Sequence, residues 1–555
     1  MSENNTQQSF FESGTPWVWL NAAAVSISII MVIGLLLLIA VRGLGHFWPK
    51  TIWEIEYQDQ DSSVVLMGER VRTNTVSAQQ LADAGIKIST DDEFVKRTLL
   101  KTGNRDVYGF DFKLIIGPNE IKHSKPADAI MFERAEWGNF YGYLNSIQEY
   151  DQAIDPSQDL WVELQQRLSR VQELRERIHK IEKNEIGTIN YQMEKLRLRE
   201  RKAELENRLD AQIKADILEN KSQLDQEYAE LKSELDAIYD EIQRDSVVMT
   251  VMTGKDVEIN LSEIIKATRP NSMNIMQKLM TYIVNIKDFV SEDPREANTE
   301  GGIFPAIFGT VMMVLLMAIM VTPFGVIAAI YLREYAKQGF VTRLVRISVN
   351  NLAGVPSIVY GVFGLGFFVY FLGGHIDQLF YPEALPAPTY GSGGLLWASL
   401  TLALLTVPVV IVATEEGLAR IPRSIREGSM ALGATKAETL WRTVIPMASP
   451  AMMTGLILAV ARAAGEVAPL MLVGAVKLAP SLPVDMNAPF IHLERKFMHL
   501  GFHIYDVGFQ SPNVEAAQPL VYATALILVG VIIVLNISAI YIRNHLREKY
   551  KTMEQ

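Results

Sequence analysis

Six runs of predominantly apolar residues, each long enough to cross a bilayer as a helix, constrain this chain more than any other feature. A helix needs about 20 such residues to traverse a hydrocarbon core of roughly 30 Å. The runs lie near Trp17 to Val41, Ile303 to Leu332, Val345 to Leu372, Leu395 to Ala413, Pro450 to Val473 and Pro519 to Ile542. The first lacks the basic leading segment and small-residue cleavage site of a removable signal peptide, and it reads as a retained anchor. The third contains Gly354-Val355-Pro356-Ser357, which predicts a break in its helix. The 49% hydrophobic and 21% charged residues are therefore segregated along the 555-residue chain. A single water-soluble globule is excluded. A net charge of −11 argues against a nucleic-acid binder with a broad basic surface, and the absence of cysteine excludes disulfides, thiolate metal sites and cysteine nucleophiles.

Short loops rich in Lys and Arg stay on the cytoplasmic side. Arg333, Lys337, Arg343 and Arg346 follow the second run, Arg420, Arg423, Arg426, Lys436 and Arg442 the fourth, and Arg543, Arg547, Lys549 and Lys551 the sixth. The opposite loops carry only Lys477, Arg495 and Lys496. These three basic loops are expected in the cytoplasm, which places both termini inside and residues 45–300 in the periplasm. Arg42 and Lys50, beside the first run, point the other way and are outweighed.

The 45–300 insert reads as α+β. Alternation at Tyr108, Phe110, Phe112 and Leu114 predicts half-buried strand within 50–150, and 246–262 predicts a second strand-rich piece with a turn at Thr253-Gly254-Lys255-Asp256. Between them, 157–245 predicts coiled coil. Leu224, Tyr228, Leu231, Leu235, Ile238 and Ile242 follow heptad spacing, and Leu164, Val171, Leu174, Ile178 and Ile181 form a shorter seam. The polar stretch Asn184 to Thr188, with Gly187, is the expected point of reversal into an antiparallel hairpin. His123 and His179 stand alone and read as surface residues. No catalytic constellation appears here, and heptads encode association more readily than chemistry.

The loop 415–446 reads as two short helices. Pro422 starts one, Gly433 allows the bend, Thr435 caps the next and Pro446 opens the following span. Such a knob on a basic membrane face suits docking. Within the fifth run, Arg462 and Glu466 stand four apart on one predicted helical face, where an unpaired charge costs at least about 2.5 to 3.5 kcal/mol. They either staple helices together or let Arg462 meet an anion, with Glu466 holding the guanidinium. Thr414 and Glu415, at the inner end of the fourth run, read as gate or boundary residues. Gly455 and Gly465 read as close-packing positions, and Pro356 and Pro469 as residues shaping broken helices.

The loop's Glu427, Gly433 six residues on, and Ile445-Pro446 resemble the coupling-loop motif of ABC importer permeases. Gly301-Gly302-Ile303 with Pro305-Ala306-Ile307 and Gly309-Thr310, Gly354 to Gly361, and Ala459 to Leu470 resemble its phosphate-specific (PstA) family. The resemblance covers about residues 301–545 and not the insert. It implies an all-α polytopic permease of the type I ABC importer kind in a bacterial inner membrane, to which the six apolar runs supply transmembrane helices. The α+β and coiled-coil insert, read from its own periodicity, is an extracytoplasmic addition, so the expected units are 1–44 with the first span, the insert 45–300, a core 301–545 and a cytoplasmic tail 546–555.

The family's coupling residues fall on Arg426, Glu427, Ala431, Leu432, Gly433, Ala434, Thr435 and Pro446, and its anion pathway on Arg462 and Glu466, with Thr414 and Glu415 beside it. Implied partners are a second, PstC-like permease subunit, a PstB-like cytoplasmic ATPase in two copies, a PstS-like periplasmic phosphate-binding protein, membrane lipid and phosphate itself; no cofactor, metal or nucleic acid is implied. The chain has Gly428-Ser429 where the motif usually has two alanines, and Val412-Ala413 where members often carry an arginine, so an anion role does not transfer to that position. No G-x4-G-K-[ST] phosphate cradle is present, the nearest fragment being Gly254-Lys255-Asp256, so ATP hydrolysis is expected from a separate subunit. A permease for molybdate or sulfate would share the loop, and a membrane-anchored coiled-coil sensor or tether would not need it.

Overall fold

The computed structural model describes residues 15–59, 62–83, 90, 92–150, 152–154, 159–511 and 514–551. The tail residues 1–14 and 552–555 lie outside the described residues. Six helices among the described residues are long and apolar enough to span a membrane: Pro16–His46, Phe304–Tyr335, Ser357–Phe380, Leu395–Ala419, Lys436–Gly465 and Val514–His545.

Two spans differ from the sequence reading. The predicted third run is two elements: an amphipathic helix Phe340–Leu352, then a helix beginning at Ser357. Pro356 has no amide proton to donate, and it caps the second helix in extended conformation. The fifth span stops at Gly465. Glu466 is extended at φ −84°, ψ 127°, and Pro469 heads a separate short helix, Leu470–Val473. Pro446 does not open that span either, because the helical chain runs on unbroken from Lys436.

The fourth span forms the centre of the core, packed between the second and the fifth, while the first span packs on the sixth. Missing side chains set these approaches. A Cβ on Gly455 would lie 2.5 Å from that of Ala413, and one on Gly417 would lie 2.6 Å from that of Ala451. Gly465, expected to do the same, faces open space and instead ends its helix. Pro469 does lie at a tight crossing, since a Cβ on Gly361 would come within 2.7 Å of its Cα.

The insert contains two large antiparallel sheets, and at its end a two-stranded one pairs Pro294–Arg295 with Glu300–Gly301. The first is ordered β4-β3-β2-β1-β5, with β1 Ile52–Asp59, β2 Ser62–Ser77, β3 Phe94–Lys101, β4 Phe112–Ile116 and β5 Glu120–Ser124. The second is ordered β10-β9-β7-β6-β11, with β6 Ile130–Arg134, β7 Phe140–Glu149, β9 Asp245–Thr250, β10 Asp256–Asn260 and β11 Ile264–Thr268; the short β8, Gln152–Ala153, pairs with β7. Tyr108, read as strand, instead ends a helical turn, Arg105–Tyr108.

A long helical hairpin rises between β8 and β9. Its first arm runs from Leu160 to Leu205 and its second from Ala211 to Ile242. The chain does not reverse at Asn184 to Thr188. Gly187 keeps helical angles there, φ −58° and ψ −39°, behind one widened turn at Lys180–Ile186. Reversal comes at Glu206 to Asp210, where Asn207 adopts φ 54° and Asp210 accepts a hydrogen bond from the Ile213 amide at 2.7 Å. Leu164, Leu168, Val171 and Ile178 are buried against Phe132, Phe140 and Val247, so much of the shorter seam serves the second sheet. In the longer seam Leu224 and Ile242 are buried, whereas Tyr228 is exposed.

Candidate functional site: the loop between the fourth and fifth spans

The loop is built from two caps and one turn. Helix Arg423–Ala431 ends in a left-handed turn at Gly433, φ 94°. The Gly433 amide donates to Met430 O at 3.0 Å and the Ala434 amide to Ser429 O at 3.3 Å, the paired bonds of a Schellman cap. Thr435 then accepts from the Glu438 amide at 3.2 Å, while the Glu438 carboxylate accepts from the Thr435 amide at 2.9 Å. This reciprocal capping box starts the next helix.

Arg426 fastens the knob to the core. Its guanidinium donates to Ile421 O at 2.7 Å and Leu418 O at 2.8 Å, closing the carbonyl end of the fourth span, and reaches Glu334 at 2.9 Å. Lys436 bonds to the Glu334 carbonyl and stands 4.6 Å from the ring centre of Tyr335. Ser429, in place of an alanine, meets the Thr439 hydroxyl at 2.9 Å and ties the two short helices together. Gly428 opens on empty space. Glu427, Ala431, Leu432 and Gly433 remain exposed, with Leu432 at 92% and Trp441 at 68%. Glu334 and Tyr335 were not singled out from sequence; an acid beside the basic residues after the second span was their only signal.

The four residues assigned to an anion route do not form one cluster. Arg462 lies in the last turn of the fifth span, 3.5 Å from Glu466, with Tyr360 within reach of its charge. Thr414 is fully buried in the fourth span with its hydroxyl unpartnered. Glu415 pairs with Arg346 at 3.2 Å, and Arg346 also donates to Gln338 and Leu332 O. Ala413 packs on Gly455, seven residues before Arg462, which places the two groups about 10 Å apart along the helix axis. A cavity of about 610 Å³ lies elsewhere, between the insert and the insert-side ends of the first and sixth spans, and contains none of these residues.

An interrupted bundle of apolar spans with a capped helical knob on one face is the architecture of an integral-membrane protein. Residues 321–551 match the family described as binding-protein-dependent transport system inner membrane component. The chain is 34% identical over 245 residues to the phosphate transport system permease protein PstA 1 of Mycobacterium tuberculosis, covering 44% of this chain and 71% of that one. It is 39% identical over 175 residues to PstA of Mycobacterium leprae, covering 31% and 52%. Probable ABC transporter permease protein YqgH of Bacillus subtilis is 31% identical over 195 residues, covering 35% of this chain and 59% of YqgH. A solved MetNI methionine ABC transporter chain aligns over 44% of this chain and 95% of its own length at TM-score 0.33 and 18% identity. The chain belongs to the binding-protein-dependent transport family, as a PstA-like ABC permease. Its relatives are permease subunits, which are not themselves enzymes.

Proposed function

We propose that this chain forms half of the transmembrane route of an ATP-driven phosphate importer in a bacterial inner membrane. The observation that carries the reading is the knob at 415–446, tied to the second and fourth spans through Arg426 and Glu334 while Leu432 and Trp441 stand uncovered. A rigid base with an apolar tip suits a partner that pushes on it, and the partner in this reading is a separate PstB-like ATPase, one of two copies. Nucleotide-driven closure of that partner moves the knob and rocks the spans between inward- and outward-open arrangements. Phosphate is favoured over molybdate or sulfate by the names of the relatives. A PstC-like second permease completes the route, a PstS-like binding protein delivers the anion on the insert side, and both termini face the cytoplasm.

The test is to co-purify the chain with its ATPase and reconstitute uptake of labelled phosphate with the binding protein. Leu432→Glu should release the ATPase and abolish uptake. Transport of labelled molybdate or sulfate by the same reconstituted complex, with no uptake of labelled phosphate, would reassign the substrate. An exposed Arg423→Cys or Lys436→Cys labelled from the insert side of the membrane would sink the assignment altogether.

A further inference from the structure

The helix Ile275–Ser291, the last long element before the second span, has one face that nothing among the described residues covers. Asn274 and Gln277 start it with a capping box, each amide donating to the other's side chain at 2.9 Å. Its inner face is held at the end of the first span. Phe47 packs against Phe289 with ring centres 5.2 Å apart, Trp48 against Tyr282 at 5.8 Å, and Asn285 donates to Phe47 O at 2.9 Å. Its last turn is held at the start of the second span, where the Ile303 amide donates to Phe289 O at 2.8 Å and the Phe304 amide to Glu292 O at 3.1 Å.

The outer face is apolar. Ile275, Met276, Met280 and Ile283 are exposed by 60% or more, and Leu279 by 45%. Spacings of three and four put them on one side of the helix. Lys287 is exposed on the same arc, one turn beyond Ile283.

Position decides what covers this face. The helix is fastened where two apolar spans leave the hydrocarbon, next to a tryptophan and a tyrosine, residue types that favour the membrane–water boundary. A lysine at the edge of an apolar face can lay its stem on acyl chains and lift its ammonium to lipid phosphates. We propose that the outer face of Ile275–Ser291 lies in the membrane interface on the insert's side, with Met276, Met280 and Ile283 among the acyl chains and Lys287 at the headgroups. The partner is the lipid surface, and the contact sets the height of the insert above the bilayer. The inference goes beyond the transport reading and requires only that the first two spans cross the membrane.

Because the chain has no cysteine, single labels can be placed without background. Met280→Cys and Ile283→Cys would each carry an environment-sensitive fluorophore in the full chain, reconstituted in vesicles containing lipid with a nitroxide high on the acyl chain. Leu218→Cys, 70% exposed on the helical hairpin, is the control. The expected result is roughly twofold or greater loss of emission at both test positions and none at the control. Labels at 280 and 283 quenched only from water, like the control, would overturn the proposal. So would shielding from both quenchers that appears only with the second permease subunit, because the face would then be a protein interface.

Discussion

Ser429 and Gly428 occupy two small-residue positions of the loop and behave differently. Ser429 uses its hydroxyl to reach Thr439, whereas Gly428 sits mid-helix with nothing within 4 Å of where a Cβ would stand. Gly428→Ala should stabilise that helix by about 0.5 to 1 kcal/mol. Gly433→Ala should cost about 1 to 2 kcal/mol, because φ of 94° suits glycine. Hydrogen exchange at the loop amides should slow in the first variant and quicken in the second. The bend at Gly433 and the cap at Thr435 were legible in sequence because they are local chemistry. The Arg426–Glu334 pair was not, since its partners are 92 residues apart and only tertiary packing joins them.

Arg134 carries the same lesson in the insert. It is 1% exposed, pairs with both Asp106 oxygens at 2.9 and 3.0 Å, and donates to Gly138 O and Trp137 O. Burial pushes the Asp106 carboxyl up, yet the hydrogen bonds and charge of Arg134 outweigh it and hold the group below its ordinary 3.8. A depressed carboxyl contributes stability that is present above the ordinary value and lost as pH falls through the lowered one. The thermal midpoint of the purified chain should therefore drop below about pH 4, and Asp106→Asn should remove that component. Arg134→Met should cost about 3 kcal/mol at neutral pH, because it leaves a partly buried carboxylate unpaired.

Among elements, the helical hairpin depends on its base more than on its seam. Asp245, with no exposed side-chain surface, receives Arg167 at 2.6 Å, Arg244 at 3.2 Å and Arg170 as well, which ties the start of β9 to the first arm. Farther along that arm, Tyr191 donates to Ala488 O at 2.6 Å and Lys202 stands 3.6 Å from Glu383, so the hairpin leans on the insert-side loops of the core. Asp245→Asn removes the negative charge shared by the guanidinium groups of Arg167, Arg170 and Arg244. The expected cost is about 3 kcal/mol, seen as faster proteolysis within 160–242 while the 301–545 core stays resistant. Heptad spacing made the hairpin legible, but not its point of reversal. Asn184 to Thr188 has the composition of a turn, yet packing of Ile181 and Ile189 on either side keeps the helix going. The split of the third run followed from Pro356 alone, whereas the helix Phe340–Leu352 was hidden because its exposed Val345, Ile347 and Leu352 extend the hydropathy of a span.

Across the whole molecule, the charged groups near the membrane fall into two sets about 10 Å apart along the fifth span, one displaced toward the insert and the other toward the loop. Arg462 and Glu466 close the fifth span on the insert's side. Arg346 and Glu415 join the amphipathic helix to the fourth span on the side of the loop. Sequence put Arg462, Glu466, Thr414 and Glu415 together because hydropathy gives depth in the membrane only coarsely and cannot say where a helix ends. If Arg462 meets the anion, removing a charge-assisted hydrogen bond worth about 1.5 to 3 kcal/mol should raise the KM for phosphate by roughly ten- to a hundredfold. Arg462→Gln would then leave the complex intact. A structural staple would instead show lost assembly together with lost uptake, since Arg462 also complements the carbonyl end of its helix. Arg346→Gln separates the two ends. Its partners Glu415, Gln338 and Leu332 O lie beside the knob, so the maximal uptake rate and the coupled ATPase rate should fall while KM stays near its original value. A KM rise in Arg346→Gln matching that of Arg462→Gln would mean that both ends bind the anion, and the division of labour argued from their separation would be wrong.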